Sequence, residues 1–232
     1  MMAFTVAFLS PAFYYLPRAT LAAIIISAII NLINFSDIRK TWRYSRWETA
    51  PFVVTLIGVL TIGIGVGIGL GILTSIALHL YRTSRPHIAI LGRIGNTNQY
   101  ENINDYEEAR LMPHTTIVRM DESLYFANMQ HLEDHLRTFI AKYPNTNSLV
   151  LALSSANRID ASALQLLTDI VSEFDELGIT IYFAEVKSHL RNRLNYYNFI
   201  EIIGADRFYE TIHDAVRKAE NEPDLKIEEY HI

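Results

Sequence analysis

The residues most able to do chemistry lie in one short run. Asp160, Ala161, Ser162 and Ala163 follow an apolar strand-like stretch, Ser148–Leu153, and precede an apolar-periodic segment. A carboxylate and a hydroxyl at the start of a helix can accept hydrogen bonds from its first-turn amides. The same amides and the helix dipole favour an anion there, so a phosphate on Ser162 would meet a favourable field. Two readings stand side by side: helix capping, and a regulatory or partner-binding site at Asp160 and Ser162. The remaining candidates are weaker. His131 and His135 are four apart on one helix, a zinc-compatible spacing, but the sequence offers no third ligand nearby and the pair reads as a solvated face. His87, His114 and His213 are scattered, and Glu133 and Asp134 read as surface charges. With no cysteine, thiol catalysis, disulfides and zinc–thiolate sites are excluded. No nucleophile–base pair or metal cluster emerges, so the expectation is no enzyme, no metal and no cofactor. The run from Gly63 to Gly71 lacks the Gly-Lys-Ser/Thr ending of a phosphate loop and lies in an uncharged stretch.

The elements that must hold these residues divide into two solvents. Up to Arg82 there are six basic and two acidic residues; the rest of the chain carries 14 basic and 23 acidic ones. An apolar, basic-flanked third followed by an acidic remainder implies a membrane part and a water-soluble part. The acidic remainder is a poor nucleic-acid binder. No secretory leader is evident at Met1–Ser10.

Residues 19–35 (ATLAAIIISAIINLINF) are uncharged and just long enough for a span, with Tyr14, Tyr15 and Trp42 toward the interfaces. Asn31 and Asn34 share a face, either for an interhelical hydrogen bond or for headgroup proximity. Residues 3–16 contain Pro11 and read as the end of a helix, with Pro17 opening the next. Residues 50–81 form a second uncharged run, too long for one comfortable span and short for two. Gly63, Gly67 and Gly71, and Gly65 and Gly69, make two small-residue stripes suited to membrane helix packing. The expectation is a helical hairpin turning near 62–65; the alternative is one long tilted helix. Arg39, Lys40, Arg43 and Arg46 flank one side, Arg82 and Arg85 the other, so both flanks are cytoplasmic and the hairpin is the choice that returns the chain. Residues 37–48, with Trp42, Tyr44 and Trp47 among the basic residues, read as an interfacial segment.

From Arg85 the pattern becomes α/β. Strands are expected at 87–91, 115–120, 148–153 and 179–184, and helices at 128–143, 161–177 (stopped by Gly178), 187–197 and 206–219. Residues 93–114 read as a long connection. Tyr196, Tyr197 and Phe199 are expected to pack on the sheet edge, with Arg191 and Arg193 flanking a contact face. The tail after Glu220 reads as disordered. The domain division is 1–84 transmembrane, 85–112 linker and first strand, 113–220 α/β domain and 221–232 tail.

A strand running into Asp160-Ala161-Ser162-Ala163 resembles the STAS domain shared by sulfate transporters and anti-sigma-factor antagonists, whose pattern is Asp-x-Ser-Gly with a phosphorylated serine. Here alanine stands at the glycine position. FYYLPRATLAAIII, the glycine run, YRTSRPHIAILGRI, YENINDYEEAR and SLYFAN resemble the last transmembrane helices, linker and STAS opening of SulP-type (SLC26-related) anion permeases. The resemblance covers residues 13–219. It implies about three spanning helices followed by an α/β STAS domain, a mixed β-sheet flanked by helices. It also implies the C-terminal part of a secondary active sulfate or anion transporter in the plasma (inner) membrane, with the STAS domain cytoplasmic for regulation or assembly. The family's anion site lies between half-helices of a core that this chain does not match, so no residue here aligns with substrate-binding ones and transport by the chain alone is not expected. The partners implied are the bilayer, a second copy, the missing core and a cytosolic regulatory protein. The alternative function is a membrane-tethered STAS interaction module.

Overall fold

The computed structural model describes residues 18–32 and 35–220. The readings that fall on residues 1–17, 33–34 and 221–232, including the tail, lie outside the described residues. The chain divides into two compact units, up to Leu78 and from His79.

In the first unit, α1 (Arg18–Leu32) is followed by α2 (Phe35–Tyr44) and α3 (Arg46–Thr61). A fourth helix, α4 (Ile64–Ser84), begins here and carries on into the second unit. Ser45 caps α3 by accepting from the Glu48 amide at 3.4 Å. The long uncharged run is broken at Ile62–Gly63, where Gly63 takes φ +128°, a backbone region that side chains disfavour. Two helices thus replace one long one. Among the described helices, α4 alone, with 21 residues, is long and apolar enough to cross a bilayer. α1 with 15 residues and α3 with 16 are shorter than a full span. The apolar residues of α1, α3 and α4 face outward: Ile24, Ile25, Leu60 and Leu73 are all more than half exposed, the inverse of a water-soluble helix. Trp42, Tyr44 and Trp47 are exposed beside the basic residues of 37–48.

The second unit holds one mixed sheet. Its strands are β1 (Ile88–Ile94), β2 (Tyr100–Asn102), β3 (Ala109–Arg110), β4 (Thr115–Met120), β5 (Ser148–Ala152), β6 (Thr180–Ala184) and β7 (Phe208–Tyr209). The order is β2-β1-β4-β5-β6-β7, with β3 also on β1. β1 is antiparallel to β2, β3 and β4, and β4 to β7 run parallel. Alternate residues point to opposite faces. Val118, Met120, Leu149, Leu151, Ile181 and Phe183 meet the larger core, beneath α5 (Phe126–Lys142), α6 (Ala161–Glu176), α7 (Ser188–Tyr196) and α8 (Phe199–Ile203). Ile117, Val150, Ala152 and Ala184 face the smaller core, where α9 (Ile212–Ala219) supplies Ile212, Ala215 and Val216. Small residues on that face let one helix lie close to the sheet.

Three expectations need correction. The connection 93–114 contains β2 and β3, which pair with β1 and give its residues Leu91–Ile94 backbone partners. The helix expected at 206–219 starts only at Ile212. Ala205–Arg207 is a 3-10 turn, and Phe208 and Tyr209 join the sheet, with Phe208 stacked on Phe183 at 4.9 Å. Of the aromatic trio, Phe199 is buried, but Tyr196 and Tyr197 are exposed and pack on each other. Gly178 does end α6, with φ +77°.

Candidate functional site

The Asp160–Ser162 run sits at the C-terminal end of β5, after a loop stitched to its neighbours. Leu124 and Ile159 form a parallel bridge: the Leu124 amide donates to the Arg158 carbonyl at 3.0 Å, and the Asp160 amide donates to the Leu124 carbonyl at 3.2 Å. The Asn157 amide donates to Ser123 Oγ at 3.2 Å. On the other side, Lys187 Nζ donates to Asn157 Oδ1 at 2.6 Å, and His189 Nε2 lies 2.8 Å from the Asn157 carbonyl. One loop is thus held between the β4–α5 connection and the start of α7.

Within this frame the two candidate residues separate. Asp160 is the residue before α6, in extended backbone, and its Oδ1 accepts from the Ala163 amide at 2.7 Å. Its Oδ2 accepts from the Phe126 amide, the first residue of α5, at 3.2 Å. One carboxylate therefore takes a donor from the N-termini of two helices, each of which leaves first-turn amides without intrahelical partners. Asn128 completes the second end. It is fully buried; its Oδ1 accepts from the Tyr125 amide at 3.0 Å and its Nδ2 donates to the Ser123 carbonyl at 2.8 Å. Ser162, in the first turn of α6, is exposed and contributes no cap, while Ala163 beside it is buried in the core. Small size is what Ala163 needs, because it lies against the sheet.

The glycine stripe also separates. A Cβ on Gly67 would run into the backbone of Gly58 and Val59, and one on Gly71 into the Thr55 hydroxyl. A Cβ on Gly58 would come within 2.9 Å of the Gly67 Cα. α3 and α4 therefore cross backbone to backbone at Gly58 and Gly67, with Gly71 against the Thr55 side chain, as small residues permit in membranes. Gly65 and Gly69, the other expected stripe, face open space, and Gly63 serves the turn. Gly58 was missed because it stands alone, outside any repeat.

The histidines disperse. His87 Nδ1 lies 3.1 Å from Asp121, which also accepts from Arg119 at 2.8 Å. Burial pushes the Asp121 carboxyl up, but the His87 and Arg119 hydrogen bonds outweigh it and hold the group below its ordinary range. His213 Nδ1 is 3.1 Å from the Tyr100 hydroxyl. His131 and His135 pack at 4.2 Å between ring centroids. Among the described residues no three metal-ligating side chains gather. Glu133 is more than a surface charge: with Glu173 it holds Arg137, tying α5 to α6.

Comparison with known proteins bears on both units. The Sulfate permease family model matches residues 1–55, and the STAS domain model matches residues 106–215. Among curated relatives, the chloroplastic sulfate transporter 4.1 of Arabidopsis thaliana is 31% identical over 90% of this chain and 32% of its own length. High affinity sulfate transporter 2 of Stylosanthes hamata is 25% identical over 91% of this chain and 33% of its own. Of solved structures, the murine Slc26a9 anion transporter in the inward-facing state superposes with a TM-score of 0.78 at 24% identity, over 94% of this chain and 36% of that one, a shared fold. The chain spans about a third of the length of the curated relatives it matches.

Proposed function

We infer the function from family membership: the chain belongs to the SulP/SLC26-type anion permeases and carries their STAS domain. Proteins of this family are integral to membranes, and the relatives are transporters rather than enzymes. The finer reading, which we propose, is that the chain is the C-terminal part of a secondary active sulfate-type transporter. Its helices to Ser84 act as part of the gate and its STAS domain serves regulation or assembly. The observation that carries this is the continuity of the match. Similarity to sulfate transporters covers 90% of the chain, including the residues 56–105 that neither family model reaches. Basic flanks on both sides of the α3–α4 hairpin support a cytoplasmic STAS domain. A second copy of the chain and the remaining transport helices are the expected partners.

Transporters bind substrate near the midplane, at interfaces between repeats built from broken helices. The short helices here cannot enclose such a site. The chain reconstituted alone in sulfate-loaded vesicles is therefore expected to show no saturable exchange of labelled sulfate. Saturable uptake by this chain alone would overturn the reading.

A second reading, a membrane-tethered STAS module that binds a cytosolic protein, is favoured by the exposure of Ser162 with Leu166 one turn further along the same face. It is tested by affinity capture of a defined partner that Ser162→Glu abolishes; capture unaffected by that change, or by Leu166→Asp, counts against it.

A further inference from the structure

The end of α4 carries features that neither the hairpin nor the Asp160 loop uses. α4 is uncharged from Ile64 through Tyr81, and Arg82, Thr83 and Ser84 complete its last turn. At about 1.5 Å per residue its 21 residues match one hydrocarbon thickness, which puts that last turn at the membrane–water boundary. The Tyr125 hydroxyl donates to Thr83 Oγ1 at 2.7 Å, so the start of α5 is held at the same level. Phe126, the next residue, sets its ring edge-on to Tyr125 at 6.0 Å and is 64% exposed. A large aromatic ring left uncovered there has no core to serve.

One turn along α5, a cleft of 510 Å³ opens between Ser84–Arg85 and the helix, continuous with Ala127 next to Phe126. It is lined by Arg85, Gln130, His131, His135 and Thr138, with Asp134 as its one carboxylate. The Arg85 guanidinium lies 5.2 Å above the Tyr81 ring. These donors gather around Arg85 beside the last turn of α4, in a part of the chain that otherwise carries 23 acidic against 14 basic residues. An aromatic wedge beside a donor-rich cleft headed by Arg85 matches an anionic lipid: acyl boundary for the ring, phosphate for the guanidinium and the neighbouring donors.

We propose that Phe126 and the Arg85–His131–His135 cleft dock on the bilayer surface and hold the headgroup of an anionic phospholipid. Burial first, and then the neighbouring His135, hold His131 below the ordinary imidazole range, and Arg85 adds to this. The hydrogen bond of His131 with the Pro86 backbone and the charge of Asp134 pull the other way. Arg85, a guanidinium that stays charged, is the permanent cation of the cleft. A phosphate in the cleft favours protonation of His131, so docking strengthens as pH falls.

The chain has no cysteine, so Ala127→Cys accepts a single environment-sensitive fluorophore in the full chain. It is reconstituted in vesicles of phosphatidylcholine alone or mixed with phosphatidylglycerol, and the probe is quenched by lipids bearing a nitroxide just below the headgroup. We expect blue-shifted emission and several-fold stronger quenching in the mixed vesicles, reduced by Phe126→Asp and by Arg85→Glu. A probe at Tyr196→Cys, a position 80% exposed on α7, should stay aqueous throughout and serves as the reference for distance from the bilayer, while the near-ultraviolet circular dichroism of each variant reports that it remains folded. Quenching at 127 no stronger than at 196, or equal in the two vesicle types, overturns the proposal. So does shielding without quenching that grows with protein-to-lipid ratio, the mark of a second copy. A blue shift produced by free phosphate or sulfate in detergent, without lipid, assigns the cleft to a soluble anion and likewise overturns it.

Discussion

Replacing Asp160 by alanine should loosen two helices at once. Its carboxylate accepts from the Ala163 amide at 2.7 Å and from the Phe126 amide at 3.2 Å, the N-termini of α6 and α5. Loss of one cap costs about 1 kcal/mol, within a range of roughly 0.5–2. Two ends place the cost of Asp160→Ala near 2 kcal/mol, or roughly 4–8 °C in the midpoint of a domain of this size. Asp160→Asn keeps an acceptor for only one of the two amides, because its amide group presents a donor to the other. Its cost should fall near half, about 1 kcal/mol. Ser162→Ala, at an exposed first-turn position without a capping bond, should stay within about 0.5 kcal/mol of the parent. The assay is thermal unfolding of the full chain in detergent, followed by the tyrosine circular dichroism of the soluble unit. Hydrogen exchange at the Phe126 and Ala163 amides is measured alongside. The double role of Asp160 predicts faster exchange at both amides in Asp160→Ala. Acceleration at Ala163 alone, or a Ser162→Ala loss equal to that of Asp160→Ala, would refute the reasoning.

Two further outcomes follow from the same geometry. Gly67→Leu should drive α3 and α4 apart, because its side chain has only the Gly58–Val59 backbone to enter, whereas Gly69→Ala faces open space and should be neutral or mildly stabilising; protease sensitivity of the 62–63 turn in micelles separates the two. His131, held below the ordinary imidazole range mainly by burial, should make the soluble unit less stable at acid pH: the unfolded chain takes up the proton first, so stability is full above pH 6.5 and declines as pH falls from there toward the folded value. His131→Gln should flatten that part of the midpoint-versus-pH curve, and an unchanged slope would assign it to other groups.

Much of the fold is legible in the residues because its signals are local. The strand Thr115–Met120 is bounded by Pro113 on one side and Asp121 on the other, and its apolar residues feed both cores. Gly178 and the apolar period of 161–177 fix α6 in the same way. The signals that failed are non-local. β2 and β3 are three and two residues long, and only their pairing with β1 makes them strands. Phe208 and Tyr209 carry no period; they are drawn into the sheet by the parallel partner β6 and by the stacking of Phe208 on Phe183. The glycine run showed a spacing but not a face. Gly67 and Gly71 became the contact because the turn at Gly63 fixes which side of α4 meets α3, and Gly58, with no repeat around it, could be found only from the other helix.

The candidate site shows a different limit. Capping and regulation look like rival explanations of Asp160 and Ser162 when both side chains are free to fill either role. The geometry removes the rivalry by assigning capping to Asp160 alone, because only a carboxylate has an oxygen for each of two helix ends. Capping therefore no longer accounts for Ser162. The same carboxylate also sets the terms of any charge placed there. A phosphate on Ser162 would gain the first-turn amides and dipole of α6, but would stand two residues from an anion already drawing on them. Ser162→Glu, which adds charge in the same turn, tests that balance directly. Competition for the α6 start should lower the midpoint in the parent background and become favourable once Asp160 is replaced by asparagine. An effect of the same sign and size in both backgrounds would mean that the two positions do not compete for the helix end.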